Sequence, residues 1–167
     1  MIYRNMMLFG IVLLLLAALR YGPPRLVYNT SASAPIGWYW ITHANALRVG
    51  DYVLADLPAA AAELAAERRY LPRGVPILKQ ISATFGQRVC VQKGIVRIDD
   101  QPQATALLND AQHRRLPVWS HCRVLTVDEF FLLNPQREAS FDSRYFGPIE
   151  RSAVLGYAQP LWTWSVH

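Results

Sequence analysis

Residues 88–98 read RVCVQKGIVRI, and this stretch decides the fold class. Two short runs rich in Val and Ile, Arg88–Gln92 and Ile95–Ile98, flank the pair Lys93-Gly94, which predicts a β-hairpin. Outward from this hairpin, further apolar, β-branched or aromatic runs predict strands at residues 37–42, 52–55, 77–84, 123–127, 129–133 and 152–158. We therefore expect a mainly β fold.

One helix is predicted within this β framework. Residues 58–70 are alanine-rich, begin with Pro58 and end close to Arg68-Arg69, which is typical of helix termini. Residues 105–114 give a weaker pattern that fits a loop or a short helix. The chain of 167 residues suits one domain of moderate size with a short appendage.

The appendage is an uncharged apolar run at residues 6–19, MMLFGIVLLLLAAL, between Arg4 and Arg20. It is shorter than the roughly 20 residues of a membrane span, but interfacial neighbours and snorkelling arginines extend it. We predict a retained anchor at residues 1–22, a linker at 23–28 and a folded domain at 29–167. A cleaved signal peptide has a similar composition, and the flanking charges leave the orientation open.

Charge and cysteine content exclude several classes of function. The formal net charge is +5, but the basic residues are scattered, so we predict no nucleic-acid partner and only weak attraction to anionic lipid. No spacing of Cys and His resembles a zinc site, so we predict no metal and no cofactor. Cys90 and Cys122 fit either a disulfide outside the cytoplasm or two buried thiols.

A first polar stretch with chemical potential follows the apolar run. Residues 29–39 read NTSASAPIGWY, and Pro35 and Gly37 fix a turn that would hold the hydroxyls of Ser31 and Ser33 in place. A simple connector between anchor and strand has a similar composition.

A second candidate is Lys79, which interrupts the apolar run 77–81. Burial lowers the pKa of a lysine, and a neutral amine is the base that a serine nucleophile needs. The chain has fifteen arginines, which stay protonated, but only two lysines, Lys79 and Lys93. An edge-strand lysine with its amine in water would give the same pattern.

A third stretch, residues 140–148, reads SFDSRYFGP and contains two serines, an acid, a base and a glycine turn. Asp142 and Arg144 are suited to an ion pair that shapes a loop. A polar surface turn is the alternative interpretation.

Together, the three stretches resemble the type I signal peptidase family, and most closely its conjugative-transfer branch, the TraF-type propilin peptidases. Residues 33–39 match the nucleophile motif Ser-x-Pro-x-Gly-x-Tyr, Lys79 matches the lysine strand, and residues 140–147 match the last family box almost letter for letter. Gln87 departs from the family pattern, which has Gly-Asp where this chain has Gly86-Gln87.

The resemblance implies a β-rich catalytic domain with one inserted helix, tethered by an N-terminal transmembrane helix. It implies a lipid-facing groove, a single-pass protein of the bacterial inner membrane and a catalytic domain in the periplasm. That location in turn supports a Cys90–Cys122 disulfide.

The resemblance also implies a serine endopeptidase mechanism. Lys79 would take the proton of Ser33, and the Ser33 backbone N–H and the Ser31 hydroxyl would form the oxyanion hole. Ser140 would orient the amine, with Asp142 and Arg144 bracing the site. The expected substrate is a membrane preprotein, a propilin of a conjugative transfer (type IV secretion) system. Water would release the product from the acyl-enzyme, or a second peptide amine would release it as a cyclic pilin.

Two other interpretations remain. A Ser/His/Asp triad would combine Ser33 or another serine with His43, His113 or His121, although no Gly-x-Ser-x-Gly motif occurs. A non-enzymatic bitopic assembly factor of a secretion or conjugation apparatus would use aromatic surfaces such as Trp162-Thr163-Trp164. Cleavage assays on Ser33→Ala and Lys79→Ala variants separate these interpretations from a Ser/Lys peptidase.

Overall fold

The computed structural model describes residues 25–164. Within this range the strands are β1 (Leu26–Asn29), β2 (Ile36–Thr42), β3 (Tyr52–Ala55), β4 (Ile77–Ala83), β5 (Arg88–Gln92), β6 (Ile95–Ile98), β7 (Gln101–Thr105), β8 (Cys122–Val124), β9 (Glu129–Leu132), β10 (Ile149–Glu150) and β11 (Val154–Trp164). Helix α1 spans Ala59–Glu67, helix α2 spans Ser143–Phe146, and a 3-10 turn covers Arg151–Ala153.

The strands form two antiparallel sheets. The larger sheet has the order β1-β2-β11-β3-β4-β9-β10, and the smaller has the order β7-β6-β5-β8. Because β4 and β9 lie side by side, the chain segments before and after the smaller sheet meet in the larger one.

Strand β9 joins the two main parts of the hydrophobic core. Its side chains alternate between faces, as in any strand. Phe130 and Leu132 pack in a cluster with residues of β3 and β4, whereas Phe131 and Leu133 pack with residues of the smaller sheet. Both sheets are therefore anchored to the same short strand.

The contact between β2 and β11 requires a glycine. Gly37 has φ +139°, and a Cβ at this position would lie 2.1 Å from the carbonyl oxygen of Trp162. Any other residue would force the two strands apart. Gly37 thus fixes the start of β2, directly after the turn that carries Ser33.

The mainly β class and the 88–98 hairpin are confirmed. The inserted helix is shorter than residues 58–70, since it ends at Glu67. In the segment 105–114, Thr105 is the last residue of β7, and the other residues form a loop without a helix. A bridge between Asn109 and Arg115 closes this loop.

Several strand boundaries differ from the sequence prediction: β4 and β9 each end one residue earlier, β8 spans Cys122–Val124 rather than 123–127, β11 is longer than predicted, and β1 is absent from the prediction. The last strand runs from Val154 to Trp164, because it pairs with both β2 and β3 and a register shift at Pro160–Trp162 accommodates the proline. Residues 26–28, predicted as linker, belong to β1, which pairs with residues 38–40 of β2.

The predicted anchor at residues 1–22 lies outside the described residues. Among residues 25–164, no helix is long and apolar enough to cross a bilayer.

Cys90 and Cys122 form a disulfide across the smaller sheet. They are direct partners in the β5–β8 pairing, with their Cα atoms 3.9 Å apart. Of the two alternatives left by the sequence, the structure therefore contains the disulfide.

Candidate active site

A groove of about 700 Å³ runs across the larger sheet. Its walls come from β1 and the following turn, the start of β4, the segment after α1, and two later loops around residues 107–116 and 137–145. Most of the lining is apolar, including Val27, Leu54, Ile77, Leu78 and Leu107. The groove suits an extended chain with small or apolar side chains.

Lys79 lies at the bottom of this groove. Strand alternation places it on the face shared by Ile77 and Ile81, and only 3% of the residue is exposed. Its Nζ atom donates a hydrogen bond to Ser140 Oγ at 2.7 Å. The lysine is therefore held in an apolar site by a single hydroxyl from a distant part of the chain.

The environment of Lys79 favours the neutral amine. Desolvation is the main effect and lowers the pKa from 10.5 to about 8, while the Asp142 carboxylate raises it and the Arg144 guanidinium lowers it. The two nearby charges oppose one another, so burial decides the direction.

Ser31 and Ser33 lie on the turn at the groove edge, with their Oγ atoms 2.7 Å apart. The Ser31 hydroxyl donates to Asn29 Oδ1 at 3.2 Å, so its single proton is used and Ser33 acts as donor to Ser31. Among residues 25–164, no hydrogen bond joins Ser33 to Lys79. The two side chains line the same groove.

The turn itself is held by side-chain amides. Asn29 Nδ2 donates to the carbonyl oxygens of Ser31, Ala34 and Pro35 at 2.8, 3.1 and 3.0 Å. Tyr39 adds a hydrogen bond from its hydroxyl to the Pro35 carbonyl at 2.7 Å. These contacts fix the backbone on which both serines sit.

Asp142 and Arg144 form an ion pair behind the groove, with both side chains 0% exposed. Arg144 Nε lies 2.8 Å from Asp142 Oδ1, and Nη2 lies 3.0 Å from Oδ2. Arg144 also donates to backbone carbonyls, those of Thr105, Asn134, Arg137 and Glu138. The pair thereby fixes the loop 134–140, which carries Ser140.

The structure gathers most of the predicted site residues. Four of them line the groove (Ser31, Ser33, Lys79 and Ser140), and two are buried next to it (Asp142 and Arg144). No histidine lines the groove, so within the described chain nothing there supports a Ser/His/Asp triad. Likewise, no cluster of three or more His, Cys, Asp or Glu residues that could hold a metal ion occurs in residues 25–164.

Sequence reasoning missed two residues, Asn29 and Asn134. Both bind the serine turn through their side-chain amides. Asn29 had a weak signal, since an asparagine at the end of a strand commonly caps a turn. Asn134 had none, because 101 residues separate it from Ser33.

Comparisons with known proteins show the family of the chain. The family model described as "Signal peptidase, peptidase S26" matches residues 1–164. A plasmid transfer protein TraF of Escherichia coli is 33% identical over 165 residues, covering 93% of this chain and 92% of the relative. A probable conjugal transfer protein TraF of Sinorhizobium fredii is 34% identical, covering 82% and 77%.

Among solved structures, a signal peptidase I of Enterococcus faecalis is similar, with a TM-score of 0.40 and 16% identity, over 68% of this chain and 97% of that one. The family assignment depends on the match to the family model and on the TraF relatives. The chain belongs to the signal peptidase family, peptidase S26.

Proposed function

We propose that the protein is an endopeptidase in which Ser33 is the nucleophile and Lys79 the general base. The observation that carries this proposal is a buried lysine, with its pKa lowered to about 8, in the same groove as a serine on a rigid turn. Membership of a peptidase family supports the same chemistry.

The first step transfers a proton and forms a bond. A neutral Lys79 amine donates one hydrogen to Ser140 Oγ and keeps its lone pair for the Ser33 proton. As Ser33 Oγ attacks the scissile carbonyl carbon, that proton passes to Lys79 Nζ. The oxyanion is stabilised by the Ser33 backbone N–H and by the Ser31 hydroxyl, which turns from Asn29 Oδ1 towards it.

The second half of the reaction reverses these roles. The Lys79 ammonium protonates the leaving amine as the peptide bond breaks, which leaves an acyl-enzyme on Ser33. An incoming water or peptide amine then gives a proton to Lys79 and attacks the ester carbonyl carbon, and Lys79 returns that proton to Ser33 Oγ as the ester bond breaks. Hydrolysis gives a linear product, whereas an amine of the same chain gives a cyclic one.

The strand edges along the groove support a peptide substrate. Among residues 25–164, β1 is an edge strand of the larger sheet, and residues 77–79 of β4 pair with β3 on one side only. Both edges border the groove, so an extended peptide can form backbone hydrogen bonds with either.

For the substrate, we propose a propilin of a conjugative transfer system. The support is the similarity to plasmid and conjugal transfer proteins in Escherichia coli and Sinorhizobium fredii. The test is to incubate the detergent-solubilised protein with candidate propilins and measure product masses. A linear product carries one water more than a cyclic one, and intact propilins throughout would contradict the assignment.

For the location, we propose a single-pass protein of the bacterial inner membrane, anchored by residues 1–22, with the groove in the periplasm. The disulfide suits an oxidising compartment. Trp38 and Trp162 are direct partners on the exposed β2–β11 surface, and Tyr28 packs on Trp38, an aromatic composition typical of a bilayer interface. A periplasm-active reporter enzyme should be active when fused after His167 and inactive when fused before Met1.

The pH dependence of cleavage follows from the lowered pKa of Lys79. Below pH about 8 the amine is protonated and cannot accept the Ser33 proton, so kcat/KM should fall about tenfold per pH unit. In a plot of log kcat/KM against pH, this fall gives an acidic limb, above which the rate should level off. Ser140→Ala should lower the rate and move the limb, since it removes the hydrogen bond to the amine. A limb near pH 6.5 would instead indicate a histidine base.

Ser31→Ala should slow cleavage by about 100–1000-fold without abolishing it, because one oxyanion donor is lost while Ser33 and Lys79 remain. Ser31→Thr, which keeps the hydroxyl, should retain more activity. The comparison is made from kcat at saturating substrate. A fully active Ser31→Ala enzyme would show that the hydroxyl serves only to bind Asn29.

A further inference from the structure

Asn134 connects the serine turn to the loop 134–140. It lies just after β9, and its side-chain Nδ2 donates to the carbonyl oxygens of Ser33 at 2.9 Å and of Ala32 at 3.3 Å. Asn134 and Ser33 are 101 positions apart in the sequence.

The backbone of Asn134 is itself fixed by the buried ion pair. Its N–H donates to Asp142 Oδ2 at 3.1 Å, and its carbonyl accepts from Arg144 Nη2 at 2.8 Å. A continuous set of hydrogen bonds therefore runs from the ion pair through Asn134 to the nucleophile turn. The same loop carries Ser140, which holds Lys79.

The contact with Ala32 has a geometric consequence for Ser33. The Ala32 carbonyl and the Ser33 N–H belong to one planar trans peptide group, so the two point in opposite directions. A carbonyl held towards Asn134 thus leaves the N–H pointing away from it. Among residues 25–164, this N–H has no hydrogen-bond acceptor, as expected of a donor reserved for a ligand.

We propose that Asn134 is a positioning residue that aims the Ser33 N–H at the oxyanion and strengthens it as a donor. A hydrogen bond accepted by a peptide carbonyl polarises that peptide and makes its N–H a better donor. Asn29 does not have this role, because its amide binds the carbonyls of Ser31, Ala34 and Pro35 and leaves the Ala32–Ser33 peptide untouched. The inference rests on the proposed Ser33 nucleophile.

The test uses Asn134→Asp, which keeps the size of the side chain, removes both N–H groups and places a carboxylate opposite two carbonyls. With the propilin that the wild-type enzyme cleaves, kcat should fall by about 10–100-fold. This loss is smaller than that for a missing oxyanion donor, because the Ser33 N–H is weakened but still present. KM should stay within about twofold, since the interaction is made in the transition state. In Asn134→Ser, which adds no charge near Lys79, the pH limb should not move, because Asn134 does not contact Lys79. Asn45→Asp, at an exposed position outside the groove, is the matched control and should behave as wild type.

A second measurement does not depend on activity. In protein labelled with ¹⁵N at serine, the Ser33 amide resonance should shift in Asn134→Asp and stay in place in Asn45→Asp. If Asn134→Asp is too unstable to purify, Asn134→Ser, with a short neutral side chain, replaces it in both measurements. An unmoved Ser33 resonance, an unchanged kcat, or a displaced pH limb in the uncharged Asn134→Ser variant would each overturn the inference. An inactive wild-type enzyme would overturn the proposed function, whereas an active wild type with an equally active variant would overturn this inference alone.

Discussion

Replacing Lys79 with alanine is expected to abolish peptide cleavage, with a loss on the order of 10⁴–10⁶-fold, and Ser33→Ala should be equally inactive. The base and the nucleophile act as a unit, so the loss of either removes nearly the whole effect. Lys79→Arg should be inactive as well, because a guanidinium stays protonated and has no lone pair to accept the Ser33 proton. Product masses after overnight incubation with a cleaved propilin give the sensitivity that this range requires.

The chain offers a matched control for the lysine. Lys93, the other lysine, is exposed in the β5–β6 turn outside the groove, so Lys93→Ala should cleave at the wild-type rate. The double variant Ser33→Ala/Lys79→Ala should be no worse than either single variant. Substantial cleavage by Lys79→Ala would contradict the dyad, and an inactive variant that still supports conjugative transfer would favour the non-enzymatic assembly factor.

Arg144→Ala is expected to lower the free energy of unfolding by about 3–5 kcal/mol. The substitution leaves the Asp142 carboxylate buried without its counter-charge and removes the donor from the backbone carbonyls around loop 134–140. Urea denaturation followed by far-ultraviolet circular dichroism measures the change. Cleavage should also be lost, since Ser140 and Asn134 both depend on this loop.

The exposed pair Arg73–Glu63 provides the comparison for this stability effect. Its side chains are 72% and 61% exposed, so Arg73→Ala should change the free energy of unfolding by less than about 1 kcal/mol. Equal effects of Arg73→Ala and Arg144→Ala would show that the buried pair contributes no more than a surface contact.

Local pattern was enough to predict the hairpin at residues 88–98. Strand propensity and a Lys-Gly turn act over neighbouring residues, and the two strands pair with each other. The helix after Pro58 was predictable for a similar reason, although its end was not. Arg68 caps α1 while Arg69 has φ +60°, a backbone conformation that the alanine-rich composition does not reveal.

Long-range pairing explains what the sequence concealed. β1 is recognisable only through its pairing with β2, and β11 extends to Trp164 because two different strands support it. In the site, motif resemblance pointed to Ser33 and Lys79. It did not reveal that Ser33 binds Ser31 in this structure, or that Asn134 reaches the serine turn from the opposite side of the fold.

The cross-strand disulfide turns one wall of the groove into part of a covalent ring. The ring runs from Cys90 to Cys122 and contains Leu107, Asp110 and Leu116, all of which line the groove. A backbone nick at an exposed site in this ring, such as after Arg115, would open the ring without releasing either fragment from the protein. A chain cut at such a site would thus keep this wall of the groove covalently attached, as long as the disulfide stays oxidised.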